Sequence, residues 1–188
     1  MEEKMFFNEK DVKEAALNLL KGFGENPERE GLKDTPKRVM KAWQEMLCGY
    51  NEDPNKHLKL FTEKSTSLTV IRDLNFTSVC EHHLMPFSGK ITIGYIPDGQ
   101  VLGLSKFSRI TDIFARRLQL QEKLVQEIYD FLQNGMKPKF LFVYAVATHD
   151  CISCRGVNQK ESHTETLVAS PAEWFGNYTQ ILNIARSK

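Results

Sequence analysis

Apolar positions in the first 50 residues recur at helical spacing. In "NEKDVKEAALNLLKGFG", residues 8–24, they return every three to four residues, which is the period of an amphipathic helix. A second such pattern starts at "DTPKRVMKAW", where Thr35 can cap the helix and Pro36 suits its first turn. The pattern predicts two amphipathic helices, each followed by glycine.

From about residue 66 the pattern becomes typical of β-strands. The stretches "LTVIRDLNFTS" and "GKITIGYIPDGQVLGLS" are rich in β-branched residues, and "PDG" between two apolar runs is typical of a turn. Two further strands are indicated by "KFLFVYAVATH" and "SHTETLVAS". We expect these strands to be antiparallel.

One long helix is predicted between the strands, over residues 105–135. Its apolar residues favour one helical face, and the Asn134-Gly135 pair is typical of a helix end. A short closing helix is indicated by "YTQILNIARS". This order of elements predicts an α+β fold with helices on one face of the sheet.

The composition is that of a globular chain with nearly balanced charge. It has 188 residues, 41% of them hydrophobic, with 25 Lys and Arg against 24 Asp and Glu. A net charge of +1 gives no general reason to expect nucleic acid or an anionic membrane as a partner. The longest apolar run, "FLFVYAVA", is far shorter than the roughly 20 residues that cross a bilayer. We therefore expect it to be a buried strand.

The first residues and the cysteines favour a cytoplasmic location. The segment "MEEKMFFNEK" carries acids where a signal peptide needs a basic segment followed by an apolar one. Four cysteines in an unexported chain favour reduced thiols, with metal-binding or catalytic roles, over a disulfide framework.

Two short segments, "SVCEHHLMPF" and "THDCISC", hold six of the nine Cys and His residues. Cys, His and acidic side chains are the ligands that zinc prefers in proteins. A structural zinc site uses four protein ligands, whereas a catalytic site uses three and leaves one position to water. The clustering therefore predicts a zinc site of one of these two kinds.

Three other interpretations compete with an open zinc site. The histidines could be hydrogen-bonded polar residues at strand ends, with the cysteines filling the core. A closed site could use Cys80, His83, Cys151 and Cys154, but zinc-finger pairs are usually separated by about 12 to 20 residues and these lie much farther apart. A redox pair of the last two cysteines lacks a thioredoxin-like βαβ context.

An open site explains the surplus of histidines better. If His149 and Cys151 lie on a strand end, their side chains point the same way, and so do Cys80 and His82 if that segment stays extended. Two ligand-bearing edges could then converge. Bound zinc lowers the pKa of its water from about 15.7 to about 7, and spare histidines beside it could move protons.

With these residues identified, the chain closely resembles the GTP cyclohydrolase I family from roughly residue 11 to its C-terminus. Six motifs agree in order: "GENPEREGLKDTPKRV", "SVCEHHLMPFSG", "IGYIP", "GLSKFSRI", "FARRLQLQEKL", and "ATHDCISCRGV" followed by "SHTET". The family often has methionine where this chain has Ile152 and Cys154, and "SPAEWF" departs from the usual glycine-containing segment after the last strand. The first departure argues against Cys154 as a metal ligand.

The resemblance implies a ligand set and a reaction. Zinc is held by Cys80, His83 and Cys151, which leaves His82 and His149 as acid-base groups. The family opens the imidazole ring of GTP hydrolytically, releases formate and forms 7,8-dihydroneopterin triphosphate, the first step of pterin and tetrahydrofolate synthesis. By analogy, His149 protonates the imidazole nitrogen while His82 and Ser105 assist the later ribose steps.

The resemblance also implies residues that bind each part of the substrate. The Glu122 carboxylate can accept hydrogen bonds from N1–H and the 2-amino group of guanine, and Gln121 supports the same pocket. For the triphosphate, Lys106 and Arg109 lie one turn apart near a helix start, where backbone N–H groups favour anions. The remaining cations implied are Arg155 and, from a neighbouring subunit, Arg38 and Lys41.

The family fold is the tunnelling fold, an antiparallel sheet backed by helices, whose strands join across subunits into a barrel. The resemblance therefore implies an N-terminal helical hairpin in residues 1–65, a catalytic domain in residues 66–188 and a homodecamer of two pentamers. Joining subunits would also pair strand edges, which can otherwise pair with other chains and cause aggregation. The alternative from another class is a noncatalytic, zinc-stabilised oligomeric scaffold.

Overall fold

A computed structural model describes residues 7–170 and 178–187 of the chain. Most of the "SPAEWF" segment, residues 171–175, lies outside the described residues. Among the described residues, no helix combines the length and the apolar character that a membrane span requires.

Both predicted N-terminal helices are present. The first begins after Asn8, whose side chain accepts hydrogen bonds from the backbone N–H groups of Lys10 and Asp11. The second has Asp34, not Thr35, at its N-cap, so the predicted cap is wrong by one residue. The α-helices of the described residues are α1 (Glu9–Gly22), α2 (Thr35–Met46), α3 (Leu104–Ala115), α4 (Gln121–Met136), α5 (Asp150–Ser153) and α6 (Tyr178–Arg186).

The strands form a five-stranded sheet and a two-stranded ribbon. The sheet has the order β5-β2-β3-β6-β7, and its neighbours are antiparallel except β5, which runs parallel to β2. The described strands are β1 (Leu60–Thr62), β2 (Thr69–Cys80), β3 (Pro86–Ile96), β4 (Gln100–Leu102), β5 (Leu118–Gln119), β6 (Phe140–His149) and β7 (Thr164–Ser170). The predicted turn after β3 is present, with Gly99 at φ +79°, but β4 pairs with β1 rather than with β3.

The prediction of one long helix over residues 105–135 is wrong. The chain leaves the helical conformation after Ala115, and β5 adds to the sheet beside the end of β2, with Val79 opposite Leu118 and Cys80 opposite Gln119. A new helix, α4, begins at Gln121. Periodicity alone missed this interruption, because the apolar face of α3 continues in that of α4.

The sheet is covered on both faces. Alternate residues of β6 point to opposite sides, so Leu141, Val143 and Ala145 pack in the main core with α3 and α4. Phe140 and Phe142, with Tyr144, pack in a second cluster that includes Ile181 of α6. The prediction of helices on one face therefore holds for α3 and α4 and is wrong for α6.

Candidate metal centre and active site

A tight turn after β2 brings His83 back to Cys80. The backbone N–H of Cys80 donates to the Met85 carbonyl at 2.8 Å, and the Leu84 N–H donates to the Cys80 carbonyl at 2.9 Å. Leu84 completes the turn with a left-handed backbone, at φ +53°. As a result, the Cys80 sulfur lies 3.8 Å from His83 Nδ1. The segment forms a turn, so the extended conformation in which Cys80 and His82 would point the same way is not present.

The third donor comes from the helical turn that follows β6. The strand ends at His149, and α5 begins at Asp150, so Cys151 lies in a helical turn rather than on the strand end that the sequence suggested. The Sγ atoms of Cys80 and Cys151 and the ring nitrogen of His83 all lie within 4.8 Å of one another.

Cys154 does not join this cluster in the part of the chain that the structure describes. It is exposed, and its thiol donates to the backbone carbonyl of Asp150 at 2.8 Å. The closed four-ligand interpretation is therefore not supported by the geometry.

The three donors fit a zinc ion. Zinc–sulfur bonds of about 2.3 Å and zinc–nitrogen bonds of about 2.0 Å, arranged as a tetrahedron, separate neighbouring donors by about 3.5 to 3.8 Å. The lower value is that of a sulfur and a nitrogen, and the distance of 3.8 Å between Cys80 Sγ and His83 Nδ1 is close to it. Burial, together with the adjacent Cys80 thiol, raises the pKa of Cys151. A cation between the two sulfurs would lower the pKa of Cys151 again, because it favours the thiolate form that binds metal.

His149 lies beside the metal centre, held by two contacts. Its ring stacks on that of Phe87, with centroids 4.7 Å apart. Its Nε2 atom lies 2.8 Å from Gln121 Oε1. Burial lowers the pKa of His149, and the nearby Glu122 carboxylate opposes that shift. His149 is therefore placed by packing and hydrogen bonding, whereas His83 is a donor of the cluster.

A cavity of about 260 Å³ opens over the metal centre. Seven of the predicted site residues line it: Cys80, His82, His83, Gln121, Glu122, His149 and Cys151. These residues come from the end of β2 and the turn after it, from the end of β6, from α5 and from the start of α4. The interruption before α4 is what places Gln121 and Glu122 at the cavity.

The predicted phosphate-binding cations and Ser105 do not line this cavity. Ser105, Lys106 and Arg109 lie near the start of α3, the first and last of them exposed. Arg155 is exposed just after α5, and its charge acts to lower the pKa of Cys151.

Two further predicted cations lie on α2. Arg38 and Lys41 are exposed, and Arg38 pairs with Asp34 at 3.4 Å. Neither residue lines the cavity described above.

Sequence reasoning missed four other residues of the cavity: Phe87, Gln119, Leu120 and Ile152. Phe87 ends the "SVCEHHLMPF" motif, but its contact with His149 depends on the β3–β6 register, in which the two residues are opposite one another. Gln119 and Leu120 fall in the segment that was expected to be helical. A signal for Phe87 was present in the motif, whereas the other positions required the tertiary structure.

The fold and the site together define a mixed α+β protein in which a Cys-His-Cys cluster that could hold a metal ion lies beside a half-buried imidazole. A family model described as GTP cyclohydrolase I matches residues 12–174. The chain therefore belongs to the GTP cyclohydrolase I family. Its helices packed on a mixed sheet are consistent with a tunnelling-type fold.

Curated relatives carry the same name. GTP cyclohydrolase 1 of Chlorobaculum tepidum is 46% identical over 159 residues, which cover 84% of this chain and 71% of that protein. GTP cyclohydrolase 1 of Streptococcus mutans serotype c is 44% identical over 170 residues, covering 89% of this chain and 88% of that protein. A solved structure described as the archaeosine synthase QueF-Like in the apo form is similar with a TM-score of 0.47 and 22% identity, covering 57% of this chain and 96% of the other.

Proposed function

We propose that this protein is a zinc-dependent hydrolase that opens the imidazole ring of the guanine of GTP. The products are formate and 7,8-dihydroneopterin triphosphate, and the reaction opens pterin and tetrahydrofolate synthesis. The observation that carries this proposal is the convergence of Cys80, His83 and Cys151 beside His149 and Glu122, in a chain of the GTP cyclohydrolase I family.

The metal is held by two sulfurs and one imidazole. Cys80, His83 and Cys151 supply three donors, which leaves a fourth position of a tetrahedral ion for water or substrate. When bound, zinc supplies an activated water at neutral pH and polarises the substrate. The exposed Cys154 thiol is not required as a ligand.

Glu122 recognises the guanine base in this proposal. Its carboxylate lines the cavity and can accept two parallel hydrogen bonds, from N1–H and from the 2-amino group of guanine. Adenine lacks this pair of donors, so ATP is rejected. Such bonds to a charged acceptor are stronger than neutral ones.

His149 handles the proton of ring opening. As water adds at C8 and the bond from C8 to the imidazole nitrogen breaks, His149 gives a proton to that nitrogen, so that it leaves as a neutral amine. The stacked Phe87 ring fixes the plane in which the imidazole lies. His82 and Ser105 assist the later rearrangement of the ribose.

The triphosphate is bound by cations outside the cavity. Lys106 and Arg109 near the start of α3 and Arg155 after α5 supply charge from this chain. The N-terminus of α3 adds backbone N–H groups that favour an anion. Arg38 and Lys41 on α2 reach the triphosphate of a neighbouring subunit, a role that suits their exposed positions.

We further propose the assembly and location that the family implies. α1 and α2, which contact each other, form the N-terminal hairpin of residues 1–65, and residues 66–188 form the catalytic domain. Strands of several subunits join into a tunnelling-fold barrel, in a homodecamer of two pentamers. All four cysteines are free thiols, which suits a reducing compartment such as the cytoplasm.

One assay tests the reaction directly. Zinc-loaded protein is incubated with GTP, and formate and a fluorescent oxidised pterin are measured. We expect both products from GTP, neither from ATP, and neither from His149→Ala protein that retains its zinc. Metal-loaded protein that forms neither product from GTP would contradict the enzyme and favour the noncatalytic scaffold.

A further inference from the structure

The side chain of Gln121 is buried where α4 meets β6 and β7, with 2% of the residue exposed. Its amide nitrogen donates to the Thr164 carbonyl at 3.0 Å and contacts Thr166 Oγ1 at 3.1 Å. A third, longer contact of 3.5 Å joins it to the carbonyl of Ala145. The amide is thus anchored to both strands, and not only to the helix that carries it.

These anchors fix which end of the amide faces His149. Backbone carbonyl oxygens only accept hydrogen bonds, so the atom next to Thr164 O must be the NH2 group of Gln121. The Gln121 oxygen therefore faces His149, 2.8 Å from Nε2. An amide oxygen only accepts as well, so the hydrogen of this bond must belong to His149 Nε2.

We propose that Gln121 is a positioning residue that holds His149 in the tautomer with hydrogen on Nε2, so that Nδ1 is the nitrogen that exchanges a proton with the substrate. This inference rests on the proposed function for the role of His149, and it replaces direct binding of substrate as the role of Gln121. Thr166, Gln121 and His149 form one hydrogen-bonded relay, because the Thr166 hydroxyl helps to orient the Gln121 amide.

Because Nε2 keeps its hydrogen bond to Gln121, Nδ1 is the ring nitrogen that gives or takes the proton. In the protonated ring both nitrogens carry hydrogen, and Nε2 still donates to Gln121. When Nδ1–H gives its proton to the departing imidazole nitrogen of the substrate, the neutral Nε2–H tautomer remains. The hydrogen bond to Gln121 is therefore the same before and after the transfer, and the ring stacked on Phe87 does not need to turn.

The tautomer can be observed without turnover. Zinc-loaded, fully assembled protein labelled with ¹⁵N-histidine is examined by solid-state NMR at a pH where His149 is neutral, and the His149 signals are assigned by their loss in His149→Asn. We expect hydrogen on Nε2 in the unmodified protein. Gln121→Met, which has a similar shape but no amide, should lose this preference, while Gln121→Glu keeps an accepting oxygen and should preserve it.

Kinetics separate positioning from substrate binding. For Gln121→Met we expect kcat to fall by about 100-fold, the lower end of what a positioned acid contributes, with KM for GTP nearly unchanged. A rise in KM at constant kcat would return Gln121 to substrate binding and overturn the proposal. Hydrogen on Nδ1 of His149 in the unmodified protein would overturn it as well.

A second pair of variants covers the case in which Gln121→Met does not fold. Thr166→Val removes the hydroxyl beside the amide, whereas Thr166→Ser keeps it. We expect the valine variant to lower kcat and weaken the Nε2–H preference, and the serine variant to restore both; equal behaviour of the two contradicts the relay. If unmodified protein shows the Nε2–H tautomer but converts no GTP, the proposed function fails and the tautomer assignment stands.

Discussion

The ring of His149 lies flat against the ring of Phe87, with the centroids 4.7 Å apart and the planes 5° from parallel. The two residues are opposite one another in the antiparallel pairing of β3 with β6. Phe87 is itself 1% exposed, so it cannot turn away from the imidazole. The orientation of His149 is therefore set by a residue of the hydrophobic core.

Substituting Phe87 by leucine tests this contact. Phe142, also on the central strands and 0% exposed, packs on the opposite face of the sheet and supplies a matched control. We expect Phe87→Leu and Phe142→Leu each to lower the free energy of unfolding by about 1 to 3 kcal/mol, measured by urea denaturation. Only Phe87→Leu should also lower kcat with GTP. An equal loss of kcat in both variants would mean that general destabilisation is responsible.

The two cysteines of "CISC" should differ in metal binding. Cys151 lies within 4.8 Å of the other two donors, whereas the Cys154 thiol is exposed and bonded to a carbonyl. Cys151→Ser should weaken zinc binding by more than the roughly 10- to 100-fold that loss of an outer-shell partner costs, and Cys154→Ser should retain the metal. Atomic absorption after gel filtration measures zinc per chain. Equal zinc loss in the two variants would support the closed site.

Glu122 should determine the preference for guanine. Replacing its carboxylate in Glu122→Gln removes a charged acceptor of two hydrogen bonds, so kcat/KM for GTP should fall by about 10- to 100-fold. Inosine triphosphate lacks the 2-amino group and offers only one of the two donors, so its kcat/KM should fall less. Competition assays with both nucleotides measure the ratio. A parallel loss for the two nucleotides would place Glu122 outside the recognition of the base.

A cluster on the opposite face of the sheet should make stability depend on pH. Partial burial acts to raise the pKa of Glu165, but hydrogen bonds with Arg186 and Tyr144, and the charge of His163, outweigh burial and leave the pKa below its ordinary 4.5. The ionised form is therefore favoured by folding. Its contribution to stability is present above about pH 4.5 and is lost as the pH falls through the lower value in the folded protein.

Glu165→Gln should remove this contribution. We expect the variant to lower the melting temperature at pH 7 by roughly 2 °C, since the cluster is largely exposed, and to approach the unmodified protein near pH 3. Thermal unfolding followed by circular dichroism at both pH values measures the difference. If the difference in melting temperature between Glu165→Gln and the unmodified protein grew as the pH fell, the ionised Glu165 would not be the stabilising form.

Much of the fold could be predicted from periodicity, because β2, β3 and β6 bury apolar residues and the first two helices have apolar residues at helical spacing. The pairing of β4 with β1, the parallel addition of β5 and the position of α6 depend on contacts between distant segments. No local pattern around Leu118 distinguishes an interrupted helix from a continuous one. Tertiary pairing with Val79 and Cys80 determines the outcome there.

The candidate site could also be predicted only in part, because some of its features are visible in local sequence and others depend on contacts between distant segments. Crowding of Cys and His in two segments identified the metal centre, since few other arrangements use those side chains together. Spacing alone allowed either His82 or His83 to lie beside Cys80, and the turn through Leu84 brings His83 to it. The relay through Thr166 could not be predicted, because that residue is separated from Gln121 by 45 positions and carries no metal-binding or acidic group.

The short strand β5 has a consequence for how the chain can vary. An α-helix turns about 100° per residue, so one residue inserted between Arg117 and Gln121 would rotate the first turn of α4 away from His149 if the remainder of that helix kept its packing. The exposed stretch of residues 158–161, between the motifs "ATHDCISCRGV" and "SHTET", carries no such restriction. Insertions and deletions among relatives should therefore accumulate in that stretch and be absent from the junction between α3 and α4.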